Sequence, residues 1–529
     1  MYYKSSGASD GYRKRSQTGF GGYDHRLGAE DGAIWDMKNM SGDYFPLASP
    51  RAPRKLLFND EKLSSPRGIA ANDAVYYVDG NTVTCSNGKS YELDDSKEAC
   101  KCAFLGSRLI IFPDKVCIDT ATGEVETLAA SWEGSAKFAD GTYAGEDAEA
   151  CSIVTTGDDF PFNVGDAVTI SGATNAENNK TLIIREISEN GRSLGFYEHS
   201  FKKENCKSLK ISRTVPDMDY ICEHENRLFG CKGDTIYASK LGDPFNWNVF
   251  DGLPTDSFSV STGSAGDFTA CVSYGGYAIF FKEDRIYKLY GDKPSNFKLM
   301  SSATLGVASG AAASLAIAGE ALYYLSRVGV MVYTGGIPAC ISDVFGDVRY
   351  EKGVGGSDGI KYYLSLHDAS CGDAEGYNLF CYDTRTRLWY REDDTRAVGM
   401  AYCTGEGLYV MCSDGTVSII GGRAAQEGEG VIESMLEFYD FTESSPDKKH
   451  VNSIQIRVKL SEGASLRVSM SFDDGEWHEI GYLNDPIKTS YVLPVKLHRC
   501  DYYRIRLRGV GDYKLYSLTR EFSPGSEKK

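Results

Sequence analysis

ICEHENRLFGCKGDTIYAS (residues 221–239) and CVSYGGYAIFFKEDRIYKLYG (271–291) decide the fold. Each reads as a short alternating strand, a polar or Gly-containing turn, and a second apolar strand running into another turn, the signature of half-buried antiparallel hairpins. The same pattern recurs on both sides. It is legible in GIAANDAVYYVDGNTVTC (68–85), CAFLGSRLIIFPDKVCID (102–119) and SLAIAGEALYYLSRVGVMVYTGG (314–336). It returns in DGIKYYLSLHDASCGDAEGYNLFCYDTRTRLWY (358–390) and GMAYCTGEGLYVMCSDGTVSIIGG (399–422). Seven such units between residues 66 and 430 predict an all-β chain built on a β-propeller. Once an apparent insertion is set aside they average about 40 residues each, the length of a propeller blade. The repeat is degenerate, without a GH…WD or kelch signature. About seven blades are therefore expected, with six or eight compatible.

The insertion spans 128–213. FNVGDAVTISG (162–172) and KTLIIREISENGRSLGFYE (180–198) alternate apolar and polar residues across Gly-Asp and Asn-Gly turns. That predicts a small β-barrel of about five strands. From 431 to 529, stretches such as VNSIQIRVKL and YYRIRLRGVG alternate with period two, which predicts a C-terminal β-sandwich. Residues 1–65 are left as an N-terminal arm and contact segment. Arg13, Lys14 and Arg15 in it are expected to order only against a neighbour.

Composition is that of a globular chain: 42% hydrophobic and 25% charged residues, with 57 Gly and 34 Tyr against 15 Pro. The formal charge of −17 argues against a protein that coats nucleic acid through a basic surface. The excess negative charge lies on residues 1–430, because 431–529 is balanced. Glu320 breaks the longest apolar run, 311–325, which is short of the ~20 residues a membrane helix needs; no membrane span and no signal-type leader is expected. Fifteen scattered cysteines, several in apolar runs, predict buried reduced thiols and assembly in a reducing cytoplasm.

The residues that could carry chemistry read mainly as structure. SFDDGEW (471–477) resembles a shortened Asp-box turn, a hairpin stabiliser. Asp94–Asp95, Asp158–Asp159, Asp393–Asp394 and Asp473–Asp474 are adjacent pairs whose side chains point apart, a poor arrangement for glycoside hydrolysis. His224, between acidic neighbours, is expected in a surface loop. Cys100 and Cys102 form a CxC without a second pair at zinc spacing. No nucleophile elbow or phosphate loop is present. The chain is therefore expected to be no enzyme, with no cofactor and no metal. Arg504, Arg506 and Arg508 in YYRIRLRG fall on one face of a strand with Ile505 and Leu507 inward, and are expected to form a subunit contact with an acidic neighbour.

Three further segments carry a resemblance. GFGGYDHRLGAEDGAIWDMKNMSGDYFPLASPRAPRK (19–55), NRLFGCKGDTIYASKLGDPFNWNVF (226–250) and SRVGVMVYTGGIPACIS (326–342), together with GYAIFFKEDRIYKLYG (276–291), resemble phage tail proteins of the tail-nozzle, tail-tubular-B or packaged-DNA stabilisation kind. The resemblance covers about 20–125 and 219–425. It implies a structural virion protein, assembled in the host cytoplasm and located in the tail. Such proteins form homo-oligomeric rings, commonly hexamers, below the head-to-tail adaptor. They contact other tail proteins, retain packaged double-stranded DNA and conduct it at ejection without sequence-specific binding. The alternative reading is a tail-associated propeller that binds or cleaves carbohydrate.

Overall fold

The computed structural model describes residues 13–57, 62–93, 98–141, 150–197, 201–421, 428–496 and 498–524. Among them there are strands and four single-turn 3₁₀ segments but no α-helix. The chain divides into two compact units, one of residues 67–70 and 74–312, the other of residues 1–66, 71–73 and 313–529.

Seven four-stranded sheets follow one another in up-and-down order, the inventory of a seven-bladed β-propeller. Six occupy residues 66–92, 101–127, 220–261, 270–303, 316–340 and 350–391. The seventh takes three strands from 397–420 and its fourth from Lys55–Leu56, which pairs with Ser418 and Ile419. In the first unit each pair of successive sheets encloses its own apolar cluster. Val78, Val83, Leu109 and Ile118 fill one, Leu105, Phe112, Leu228 and Trp247 the next, and Phe229, Ile236, Phe280 and Leu289 the third. Apart from Trp247, which comes from the loop after residue 239, these are alternating positions of the quoted hairpins, which is why the repeat was legible.

The insertion is a β module with a core of its own, including Trp132, Phe138, Ile153, Phe196 and Ile211. Seven strands pair where about five were expected. They run in the order Thr181–Ile183, Ala167–Ser171, Asn205–Arg213, Ala130–Ala139, Ser152–Thr155, Ser193–Gly195 and Glu186–Ile187. Among the described residues no pairing closes the ends of this path into a barrel. Its first and last long strands are neighbours, Ala130 opposite Arg213.

The C-terminal block is a sandwich of two five-stranded sheets. One joins Arg13–Gln17, Tyr513–Pro524, Lys449–Leu460 and Ser490–Pro494, with Arg499–Cys500 alongside. The other joins Ile34–Lys38, Glu433–Phe438, Tyr503–Val510, Ser465–Phe472 and His478–Leu483. The reading of an N-terminal arm is thereby corrected. Arg13, Lys14 and Arg15 lie in an edge strand antiparallel to Phe522–Arg520. Lys14 meets Glu521 at 3.3 Å and Arg15 meets the buried Glu443 at 3.5 Å. Residues 13–57 are not a separate segment, since they supply one strand to each sandwich sheet and one to the last blade. A short sequence with polar faces carried no apolar stripe to reveal this, because its partners lie more than 350 residues away.

A buried ionic joint fixes this threading. Arg54 donates to Glu392 at 2.5 Å and Arg51 to Glu429 at 2.6 Å, and Asp393 lies 2.9 Å from Arg54 and 3.2 Å from Arg51. Both guanidiniums and Glu392 are buried. Burial at this level is tolerated only because each charge is matched and hydrogen-bonded.

Candidate functional site

Where the N-terminal threading crosses the sixth blade it leaves an open cleft of about 610 Å³. The crossing begins at Tyr23, whose amide donates to the Trp389 carbonyl at 2.7 Å, and continues at His25, whose amide donates to the Val344 carbonyl at 2.7 Å. Gly346 makes the crossing possible. Its φ of +65° suits glycine, and a Cβ there would collide with the His25 carbonyl. The core beside the crossing is aromatic: Phe345 stacks on Phe380 with ring centroids 4.4 Å apart, and Tyr23 meets both edge-on. Burial pushes the Tyr23 hydroxyl far above the usual tyrosine range, with Tyr350 and Asp36 adding to it, so it is a neutral hydroxyl.

Tyr23, His25, Trp35 and Tyr439 form a ladder of rings, with His25 and Trp35 only 3.9 Å apart. The His25 ring nitrogen Nδ1 lies 3.0 Å from the Trp35 carbonyl, which fixes the imidazole in the stack. Asp347, Val348 and Arg349, and Asp368, Ala369 and Ser370, complete the lining with His25 and Trp35. Asp368 Oδ1 accepts from the Ser370 amide at 2.9 Å and its hydroxyl at 2.7 Å, and the Ala369 amide donates to the Arg349 carbonyl at 2.9 Å. These bonds hold residues 368–370 in place. Leu27, 78% exposed, also lines the cleft. The lining thus brings together two aromatic rings, two carboxylates and a guanidinium. Sequence reading missed it because its parts come from positions 25–35, 347–349 and 368–370.

The residues singled out from sequence lie elsewhere. Arg504 donates to Asp440 at 2.5 Å, and Arg506 donates to Glu437 at 2.7 Å while stacking 3.8 Å over Trp477. The alternation was read correctly, with Ile505 and Leu507 buried. The contact reading is corrected for Arg504 and Arg506, which are matched within the chain; Arg508 alone of the three is exposed and, among the described residues, unpaired. Asp94–Asp95 lies outside the described residues. Asp159 meets Arg192 at 2.9 Å, and Asp393 and Asp394 turn to different partners, the buried joint and Lys38. Asp473 accepts the Asp501 and Tyr502 amides while Ser471 Oγ donates to the Gly475 carbonyl at 2.7 Å, so SFDDGEW is a braced turn.

His224 is not in a surface loop. It ends the Tyr220–His224 strand, its ring nitrogen Nδ1 lies 2.9 Å from Ser273 Oγ, and burial pulls its pKa down. Among the described residues no cluster of His, Cys, Asp or Glu is placed to hold a metal. All fifteen cysteines are free thiols, Cys340 and Cys371 exposed; burial pushes the Cys100 thiol up to about 12.

The motifs behind the tail-protein resemblance are joints. In NRLFG, Arg227 is buried and donates to the carbonyls of Ser239, Pro254 and Asp256 at 2.5–2.9 Å. In GDPFNW, Trp247 Nε1 donates to the Pro244 carbonyl at 2.8 Å and Asn246 to Asp243 at 2.7 Å. In FFKED, buried Lys282 reaches Ser264 Oγ at 2.8 Å and the Gly266 carbonyl at 2.5 Å. In the 326–342 hairpin, the Val330 amide donates to Ser342 Oγ at 2.8 Å.

No family model and no curated protein matches the chain. Among solved structures it is similar to the exo-β-1,3-galactanase of Phanerochaete chrysosporium at 9% identity, covering 56% of this chain and 92% of that one with a TM-score of 0.21. It is also similar to Hsv2 of Kluyveromyces marxianus at 8%, 62% and 97% coverage and a TM-score of 0.27. The endosialidase of phage phi92 follows at 9%, 79% and 65% coverage and a TM-score of 0.23. The class is an all-β, propeller-bearing protein. The expectation that the chain is no enzyme is corrected: a galactanase and an endosialidase stand among the structures it matches.

Proposed function

We propose that the chain is a propeller protein of a phage tail, and that its main role is that of a nozzle-type subunit forming a ring below the head-to-tail adaptor. The observation that carries this reading is that all the resembling segments are load joints of the scaffold. Arg227, Lys282, Ser342, Arg51 and Arg54 each tie a turn or a threaded strand to its blade. Joints of this kind support the reading, because a ring subunit needs to keep rigid contact surfaces. The negative charge of the chain fits a channel along which duplex DNA slides without being gripped.

Electron microscopy of the purified protein, alone and with its adaptor, tests this. Rings with a central opening are expected, and monomers at all concentrations with the adaptor present overturn it.

A second reading, glycan binding or cleavage, is favoured by the cleft between Trp35 and Asp368. Its ring edges, carboxylates and Arg349 are groups that hydroxyl-rich sugars use. Glycan-array binding lost in Trp35→Ala, or release of reducing sugar lost in Asp368→Asn, would establish it; silence in both assays removes it.

A further inference from the structure

The second sandwich sheet carries a row of side chains straight across its five strands. Lys38 stands opposite Met435, Met435 opposite Arg508, Arg508 opposite Arg467, and Arg467 opposite Tyr482. Directly opposed like charges in an antiparallel ladder are unfavourable, with Cβ atoms roughly 5 Å apart. Lys38 is matched by Asp394 at 2.7 Å. Arg467, 63% exposed, has the looser Glu479 at 3.6 Å and lies over the Tyr482 ring at 5.5 Å, and no carboxylate among the described residues lies within ion-pair distance of Arg508. In the neighbouring row the partners are closer, for Arg506 is held by Glu437 at 2.6 Å and by Trp477 at 3.8 Å. One face thus holds two adjacent guanidiniums short of negative charge, bordered by exposed Tyr482, Val510 and Val431.

We infer that the Arg467–Arg508 pair is a docking site for carboxylates on a second copy of this chain. Two things select that occupant over another anion. Residues 1–430 carry the whole excess of negative charge while the sandwich block is balanced, so each copy presents both halves of the pairing. The flanking apolar residues suit a protein surface that excludes water from the ion pairs. The contact is heterologous, an acidic surface of one copy on the sandwich of the next, which is the geometry that closes into a ring. The inference rests on the nozzle reading and replaces the three-arginine contact by Arg467 and Arg508.

Sedimentation velocity at 50 and 500 mM salt tests it. Wild type is expected to self-associate, and Arg467→Glu with Arg508→Glu to weaken this at least tenfold with an unchanged melting temperature. Lys298→Glu, the charge change of one of those two substitutions made on an exposed strand of the fourth blade, should shift it less than twofold. Should the double variant fail to fold, Arg508→Gln is read in its place. Variants that associate like wild type overturn the inference, and so does an Arg508-dependent complex with polygalacturonate in a protein that does not self-associate. Rings that persist in the variant sink this contact alone, whereas wild-type monomers with adaptor present sink the nozzle reading as well.

Discussion

At the scale of single residues, stability is concentrated where charge is buried. Arg54 is enclosed with Glu392 and Asp393, and removing the guanidinium leaves two carboxylates in a poorly solvated site. Arg54→Ala is therefore expected to lower unfolding free energy by about 3–5 kcal/mol, measured by urea denaturation. The same joint sets a pH dependence. Burial alone would raise the pKa values of Asp393 and Glu429, but the guanidiniums of Arg51 and Arg54, with hydrogen bonds, hold both below the ordinary carboxylate range. A carboxylate held low contributes stability that is complete above its unfolded pKa, about 4, and is lost as pH falls through the folded value. The urea midpoint should fall from pH 5 toward pH 3, and less steeply in Arg54→Ala; parallel slopes would remove the joint from the account. Thiol reactivity separates in the same way. Burial raises Cys100 and Cys500 to about 12, leaving little thiolate at neutral pH. Iodoacetamide followed by mass spectrometry should modify the exposed Cys340 and Cys371 first.

At the scale of elements, hairpins were legible and threading was not. Strands such as Tyr277–Lys282 and Ala321–Ser326 announce themselves by alternation and by the turn residues at their ends. Lys55–Leu56 has two residues and no periodicity, and Arg13–Gln17 is polar and exposed along most of its length. Their pairing is decided by the open edges they meet, information held by strands hundreds of positions away. The cleft was illegible for the same reason, being a product of threading. The insertion behaves in the opposite way, since its core is local and its ends, Ala130 and Arg213, are cross-strand neighbours. Replacing residues 131–212 by a short glycine linker should leave the remaining protein cooperatively folded. Some loss of stability is expected, because Asn246 accepts from the Ala167 amide and donates to Asp166, which in turn accepts from Arg213. Deleting residues 13–57 should do far more damage, stripping one strand from the last blade and one from each sandwich sheet. Soluble, cooperatively melting protein after that deletion would show the threading to be dispensable.

At the scale of the whole molecule, charge is the property that bears most directly on the nozzle reading. A chain of net −17 whose C-terminal block is neutral repels a polyanion over a Debye length of about 10 Å at 0.1 M salt and farther when salt is lowered. Proteins that hold duplex DNA through phosphates bind more tightly as salt falls, because each contact releases counterions. A conducting wall should show no such rise. The exposed Arg467 and Arg508 are one basic patch of this chain, and their engagement by carboxylates of another copy would withdraw them from DNA. Wild-type protein is therefore expected to leave a labelled duplex unshifted at 50 mM salt, where nonspecific binding is strongest. If assembled rings stay silent while free subunits retard the duplex, and Arg467→Glu with Arg508→Glu abolishes that retardation, the two arginines are the buried half of the assembly contact. Retardation by intact rings that weakens steeply between 50 and 200 mM salt would mean a gripping surface, and a channel lined to grip is not one through which DNA slides.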